Sequence, residues 1–550
     1  MRSIALRRVT ASLVAGPALV FLGVLVACGD DDPPPPAAPV TTPEAGLDST
    51  TPNQCPDAGP APARECTNTK CTATLGEPAI CRNDTCVKLK SQYCPIVIGD
   101  VDDDRTIIIG SVAPINGPSA NEGGPIRSSI DLALREINAR GIPSADVCEA
   151  PRKMALVACD ENEEVDIKGG ASHLVNDLGV QAIIGANFSG DTIHTSSVTL
   201  PGKTLLISPS ATAARITTLE GATQDGTRLL WRTSPSDVIQ SEAMRSVYVE
   251  LEAAAKAAAG GPTNAKVAVI SKSDAYGVGV HQALQGSLIV NGKPHADAAN
   301  AGLAEFRCYN PPATATVGTA DCPVSNTMAA AVTALQALKP DTIILTGTAE
   351  AVSDILIPYE ATNPTPKPRW LLPDGIRTAD LTNYAKGKPE FIARVRGTVP
   401  GVVTPLAQSF FNIRYSAAFP DNPTLIFGMA GAYDATYMIA YGIAANGSNP
   451  ITGVNIAKNL AKLVGGTAKI DVGPARLAAG FAELTNGSAV DLNGTSGPLD
   501  FDPATGEARS DIAIWCLRVD PNTSNIVYGD ATGQSYNATE NKLNGTFSCP

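Results

Sequence analysis

From about Arg105 onward, short apolar runs alternate with stretches whose apolar positions recur every three or four residues. "TIIIGSVAPI" is a run of the first kind and predicts a buried strand. "IRSSIDLALREINARG" is of the second kind. Ile126, Ile130, Leu134 and Ile137 share one helical face, and Gly141 follows as a stop. The alternation continues through strand "KMALVACD", helix "ASHLVNDLG", strand "QAIIG" and strand "KTLLISP". "RLLWRTSPSD" leads into a long helix, with Ser234-Pro235-Ser236-Asp237 placing a cap and a proline at its start. "AKVAVIS", a helix from Gly277, "PDTIILTG", helix "EAVSDILIPYE" and "PRWLLPD" repeat the theme. Strands that are apolar on both faces need helices on both faces, which means parallel sheets. The series is too long for one sheet, so the expected fold class is α/β, with two Rossmann-like lobes.

Ligands of such sheets sit beyond the carboxyl ends of the strands, so the residues that follow each strand are the informative ones. Ser189 and Thr192 follow "QAIIG", and Ser210 and Thr212 follow "KTLLISP", all near expected helix starts. Free N–H groups at helix starts, joined by hydroxyls, suit a carboxylate. Tyr276 follows "AKVAVIS", and Asp374 follows "PRWLLP". One lobe thus offers an anion nest and the other an aromatic and a carboxylate, a clamp for a small zwitterion such as an amino acid. Ser, Thr and Asp are also ordinary helix caps, and each of these residues taken alone reads that way. Their repetition at successive strand ends favours binding.

Composition narrows the partners. Against 41 Lys and Arg stand 54 Asp and Glu, a net charge of −13, so no basic face for nucleic acid is expected. The dense basic cluster is Arg2, Arg7 and Arg8, just before an apolar stretch from about Val9 to Ala27. That order describes an export signal. Its end, Leu25-Val26-Ala27-Cys28, resembles the lipobox of bacterial lipoproteins, in which the cysteine becomes the lipidated first residue. A plain anchor helix is the alternative, although Gly16-Pro17 interrupts it. Both readings tether the body to a bacterial membrane outside the cytoplasm, in the periplasm or at the cell surface. No other stretch is apolar enough to span a bilayer, which excludes a channel or permease. Residues 1–28 are expected to be the signal and lipobox. Residues 29–54, rich in Pro and acid, are expected to be a disordered spacer.

Setting Cys28 aside, the remaining cysteines are even in number, as exported disulfide proteins prefer. Cys55, Cys66, Cys71, Cys81, Cys86 and Cys94 crowd into residues 55–95 and predict a small three-disulfide module of open connectivity. A zinc site is the rival, weakened by the absence of His there and by loose Cys-x4-Cys spacing. Local pairs Cys148–Cys159, Cys308–Cys322 and Cys516–Cys549 are expected elsewhere, the last fastening a C-terminal tail, 521–550.

Catalytic constellations are not found. Gly277-x-Gly279 lacks the third glycine of a dinucleotide fingerprint, since Gln282 stands there. "PGKT" at Pro201–Thr204 echoes a phosphate loop, but Ser197 replaces its first glycine and it precedes a strand instead of following one. The four histidines, His173, His194, His281 and His295, form no ligand pair, and no G-x-S-x-G occurs. The chain is expected to be no enzyme and to need no metal or cofactor.

Six segments in order carry a resemblance: "GSVAPINGPSANEG", "IIGANFSGDTIHTSS", "LLISPSATAARIT", "SKSDAYGVG", "LLPDGI" and "GPLDFDPATGEARSDIAIW". With them, residues from about 105 to 520 resemble the type I periplasmic binding proteins, in the leucine/isoleucine/valine-binding branch. The resemblance implies two lobes that close on a solute like a hinged trap. Lobe 1 would span about 105–233 and 401–492, and lobe 2 about 237–396 and 498–520. The three hinge crossings would fall near Thr233–Asp237, Arg396–Gly401 and Asn493–Pro498. It implies that Ser189, Ser210 and Thr212 hold a ligand's α-carboxylate and ammonium, that Tyr276 lines the cleft, and that Asp374 pairs with the ammonium. It implies an amino acid or related small polar solute as ligand and an ABC permease as partner. The alternative is a sensing or partner-binding surface lipoprotein that acts through the Cys-rich module. Two departures stand out. Glu122 lies where the family often has an aromatic, which disfavours a purely aliphatic ligand and admits a polar or cationic one. The family's aromatic near "LTGTAEA" is also absent.

Overall fold

The computed structural model describes residues 64–549, apart from 118, 145, 147, 261–262, 311–325, 402–404, 422–424, 522 and 531. Cys28, the spacer, Cys55 and Cys322 therefore lie outside the described residues.

Two sheets form, as the alternating pattern predicts. In the first, Leu230–Arg232, Leu205–Ser208, Ala182–Ile184, Ile107–Ala113 and Met154–Asp160 run side by side in parallel. Met154–Asp160 is buried at every position, as a strand covered on both faces must be. The second sheet runs Ala304–Tyr309, Val267–Lys272, Thr342–Thr346, Arg369–Leu372 and Val395–Pro400, again in parallel. Ile512–Val519 then joins it antiparallel. Helix Asp237–Ala258 starts at the first crossing, where Ser236 accepts the Val238 N–H, and packs on the second sheet. The three tryptophans anchor the layers. Trp231, Trp370 and Trp515 are buried, and each indole N–H finds an oxygen: Arg228 O, Glu360 Oε1 and Thr398 O.

Three details differ from expectation, each because sheet pairing is not local. First, strands Phe501–Asp502 and Glu507–Ala508 form a hairpin that extends the first sheet, and Glu507 pairs beside Arg232. The third crossing therefore falls after Ala508, not near Asn493–Pro498. That earlier turn is fastened to the first lobe by fully buried Asp434. Its carboxylate accepts the N–H groups of Thr495 (2.9 Å) and Ser496 (2.8 Å) and both their hydroxyls. Second, the C-terminal tail is part of the body: Gln534–Asn537 and Lys542–Gly545 continue the second sheet, and Ile526–Gly529 pairs with Ile512–Val519.

Third, the disulfides are arranged differently. Cys516–Cys549 forms as expected, and Cys66–Cys81, Cys71–Cys86 and Cys94–Cys159 form beside it. The expected Cys148–Cys159 pair does not. Strand Ile96–Ile98 lies antiparallel to Met154–Asp160, with Ile96 opposite Ala158, which carries Cys94 onto buried Cys159. Cys148, on an exposed loop, and Cys308 are disulfide-bonded as well. The sulfurs of Cys66, Cys71 and Cys86 cluster within 4.8 Å, but as disulfides they lack the thiolates that zinc requires. The Cys-rich segment is thus not a separate module. It docks on the first lobe through Cys94 and through Arg82, which donates to Asn176 O at 2.8 Å.

Candidate functional site

The loops at the first sheet's carboxyl edge are braced by acids from the strand ends. Asp160 accepts the N–H groups of Ile115 (2.7 Å) and Asn116 (3.1 Å), which fixes the loop before helix Ala120–Arg140. Glu161, 4% exposed, accepts those of Asn187 and Phe188, both at 2.8 Å. Burial, first, and nearby Asp191 push the Glu161 carboxyl up, while its two backbone bonds pull it down. The loop after Leu205–Ser208 is held from below by Arg232. This fully buried cation donates to Ala213 O (2.9 Å), Ala211 O (3.3 Å) and Glu507 Oε1 (2.5 Å).

The hydroxyls at these strand ends do not share one role. Ser210 gives its single proton to Asn187 O at 2.9 Å, so only its lone pairs remain for a guest. Ser189 accepts the Ala213 N–H at 3.1 Å, which leaves its own proton to donate. Ser189 also opens helix Ser189–Thr199, whose first N–H groups have no partners within the helix. Thr192 is fully buried and donates to Ala186 O at 3.1 Å, which makes it a fastening of the loop.

From the second lobe, Tyr276 stands in the first turn of helix Ala275–Ser287, where Asp274 caps Gly277 N–H at 2.8 Å. The Tyr276 hydroxyl donates to Asp374 Oδ1 at 3.1 Å, and Gln240 Nε2 donates to the same oxygen at 2.6 Å. Both bonds fall on Oδ1, so Oδ2 is the oxygen left for a guest. Burial raises the Asp374 carboxyl above its ordinary value, against the opposing pull of those two donors. Gly375 is required beside it, because a Cβ there would sit 2.5 Å from Gly347 O.

Between the lobes lies a cavity of about 80 Å³. Glu122, Ser189, Ser210, Thr212, Tyr276 and Asp374 all line it. The structure thus brings these six expected residues to one place, while Thr192, also expected at a strand end, is not among the lining residues. It adds Asn187, Phe188, Arg377, Ile426 and Phe427, which strand-end reasoning did not single out. Asn187 and Phe188 stood within the quoted "ANFSGD" run and carried a readable signal. Ile426 and Phe427 precede helix Met429–Ala444, far along the chain, and no local signal marked them. Phe188 and Phe427 supply aromatic wall where position 122 has an acid. Arg377 is held at its place by Asp530 of the tail, 3.2 Å away, and by the ring of Tyr528, 4.8 Å from its guanidinium carbon.

The fold is α/β with two lobes, and this cavity lies between them. The family model for periplasmic binding proteins matches residues 106–516, and the chain belongs to that family, in its type I, leucine/isoleucine/valine-binding-like branch. It is 27% identical over 186 residues to the Leu/Ile/Val-binding protein BraC3 of Rhizobium johnstonii, which is 34% of this chain and 45% of that one. It is 27% identical over 203 residues to Leu/Ile/Val-binding protein homolog 3 of Brucella melitensis, 36% of this chain and 49% of that one. The chain spans about half the length of these curated relatives. Among solved structures, it is similar to the branched-chain amino acid substrate-binding protein LivJ of Streptococcus pneumoniae in complex with isoleucine. There the TM-score is 0.54 at 20% identity, over 77% of this chain and 100% of the other. It is also similar to a solute-binding protein of Rhodopseudomonas palustris in complex with 3,4-dihydroxybenzoic acid. There the TM-score is 0.53 at 16% identity, over 78% and 98%. These two likenesses show the fold.

Proposed function

We propose that the protein is an extracytoplasmic receptor that captures an amino acid or related small polar solute between its lobes and passes it to an ABC importer. One observation carries this reading: donors from the first lobe and a buried carboxylate from the second face one small cavity. Ser189 and the start of its helix suit a carboxylate, the lone pairs of Ser210 suit an ammonium, and Asp374 Oδ2 suits the same ammonium from the opposite lobe. Such a guest would bridge the lobes and favour the closed state. The two similar structures, in complex with isoleucine and 3,4-dihydroxybenzoic acid, support a solute carrier and span amino and aromatic acids. Lipidation at Cys28 would keep the receptor beside its permease. It is tested by loss of palmitate labelling in Cys28→Ala.

The test of binding is a thermal melt of the full chain with each amino acid, small amides and aromatic carboxylates. A ligand at 100 times its Kd adds about 2.7 kcal/mol, a clear rise in Tm. A panel in which no compound raises Tm would overturn the reading.

A further inference from the structure

We infer that the solute carries a second positive group: it is a cationic amino acid, and Glu122 receives its charged end. This rests on the receptor reading above and names its ligand class.

The charge balance of the cavity is the first reason. Glu122, Asp274 and Asp374 line it, against Arg377 alone, and Arg377 is already paired with Asp530. Lys272, close by, is shared between Asp274 (3.4 Å) and Glu350 (3.6 Å). The Glu122 side chain makes no ion pair or hydrogen bond among the described residues. Lobe closure on a neutral aliphatic guest would strip water from this carboxylate and return no partner, an unfavourable exchange. Burial already lifts the Glu122 carboxyl to about 7; Lys272 opposes the rise and Glu350 adds to it.

An independent observation is the unused amide of Asn187. It is 5% exposed and lines the same cavity, and neither its Nδ2 nor its Oδ1 has a hydrogen-bond partner. A buried amide left so is costly unless a guest satisfies it. The walls fit such a guest. Phe188 and Phe427 line the cavity with aromatic rings that suit a cation, and Ile126 with an apolar side chain that suits its methylene stem.

Calorimetry on the full chain at pH 8 tests this with L-lysine, L-ornithine, L-arginine, L-leucine and L-glutamine. At least one cationic amino acid should bind about tenfold or more tighter than leucine and glutamine, the step that one charge-assisted bond provides. Glu122→Gln should remove that preference, while Glu122→Asp should keep part of it. Melting of both unliganded variants checks that they fold. Leucine or glutamine binding tightest to the native protein would overturn the inference and leave the receptor reading standing. A preference for the cationic ligand that survives in folded Glu122→Gln would also overturn it. No binding by any amino acid, amide or aromatic carboxylate would overturn both.

Discussion

Replacing Asp374 by Asn separates what this residue does for the fold from what it does for a guest. Without ligand, its Oδ1 accepts Gln240 Nε2 at 2.6 Å and the Tyr276 hydroxyl at 3.1 Å, and an amide oxygen in its place can still accept both, as neutral bonds. The carboxyl is held above its ordinary value chiefly by burial. An acid that is weaker in the folded state stabilises the fold at low pH. Stability is lost as pH rises from the unfolded value, about 3.9, through the folded one. Ionised Asp374 therefore costs the unliganded protein stability at pH 7. Asp374→Asn should melt at or above the native temperature and lose that part of the pH dependence. Binding should move the opposite way. A charge-assisted bond to an ammonium contributes about 1.5–3 kcal/mol, which is about tenfold to 150-fold in Kd. Calorimetry with the tightest amino acid from the melting panel, alongside scanning calorimetry of the unliganded variant, measures both. An affinity unchanged within about twofold would refute the assignment of Oδ2 to the ligand.

Three further outcomes follow from the same geometry. Affinity for a cationic ligand should fall about tenfold per pH unit below 7, because Glu122 is raised to about 7 and binds a cation only when ionised; a flat profile between pH 8 and 6 counts against it. Arg232→Met takes away the cationic partner of Glu507, which keeps the Thr217 hydroxyl, and releases the Ala211–Ala213 loop, so denaturant melts should show a loss of about 3 kcal/mol, with weakened ligand binding. Cys94→Ser opens a loop closed over a sequence separation of 65, worth up to about 4 kcal/mol by chain entropy. Non-reducing peptide maps of the native chain should link Cys94 to Cys159.

The sequence alone determined the alternation of strands and helices. Apolar runs and helical periodicities are local, and each must find cover wherever it lies. It also determined which residues stand at strand ends, and so Ser189, Ser210, Thr212, Tyr276 and Asp374 could be named before any contact was known, whereas Glu122 was marked by the family resemblance. What each hydroxyl does was not legible. Ser210 spends its proton on Asn187 O, whereas Ser189 keeps its own, and that depends on how two loops meet. Tertiary structure alone decided the partners of Cys159, the place of the hairpin Phe501–Ala508 in the first sheet, and the use of Asp530 to hold Arg377. Each is a pairing between segments far apart in the chain. Strand order and register fix such pairings, and local residue patterns carry no record of them.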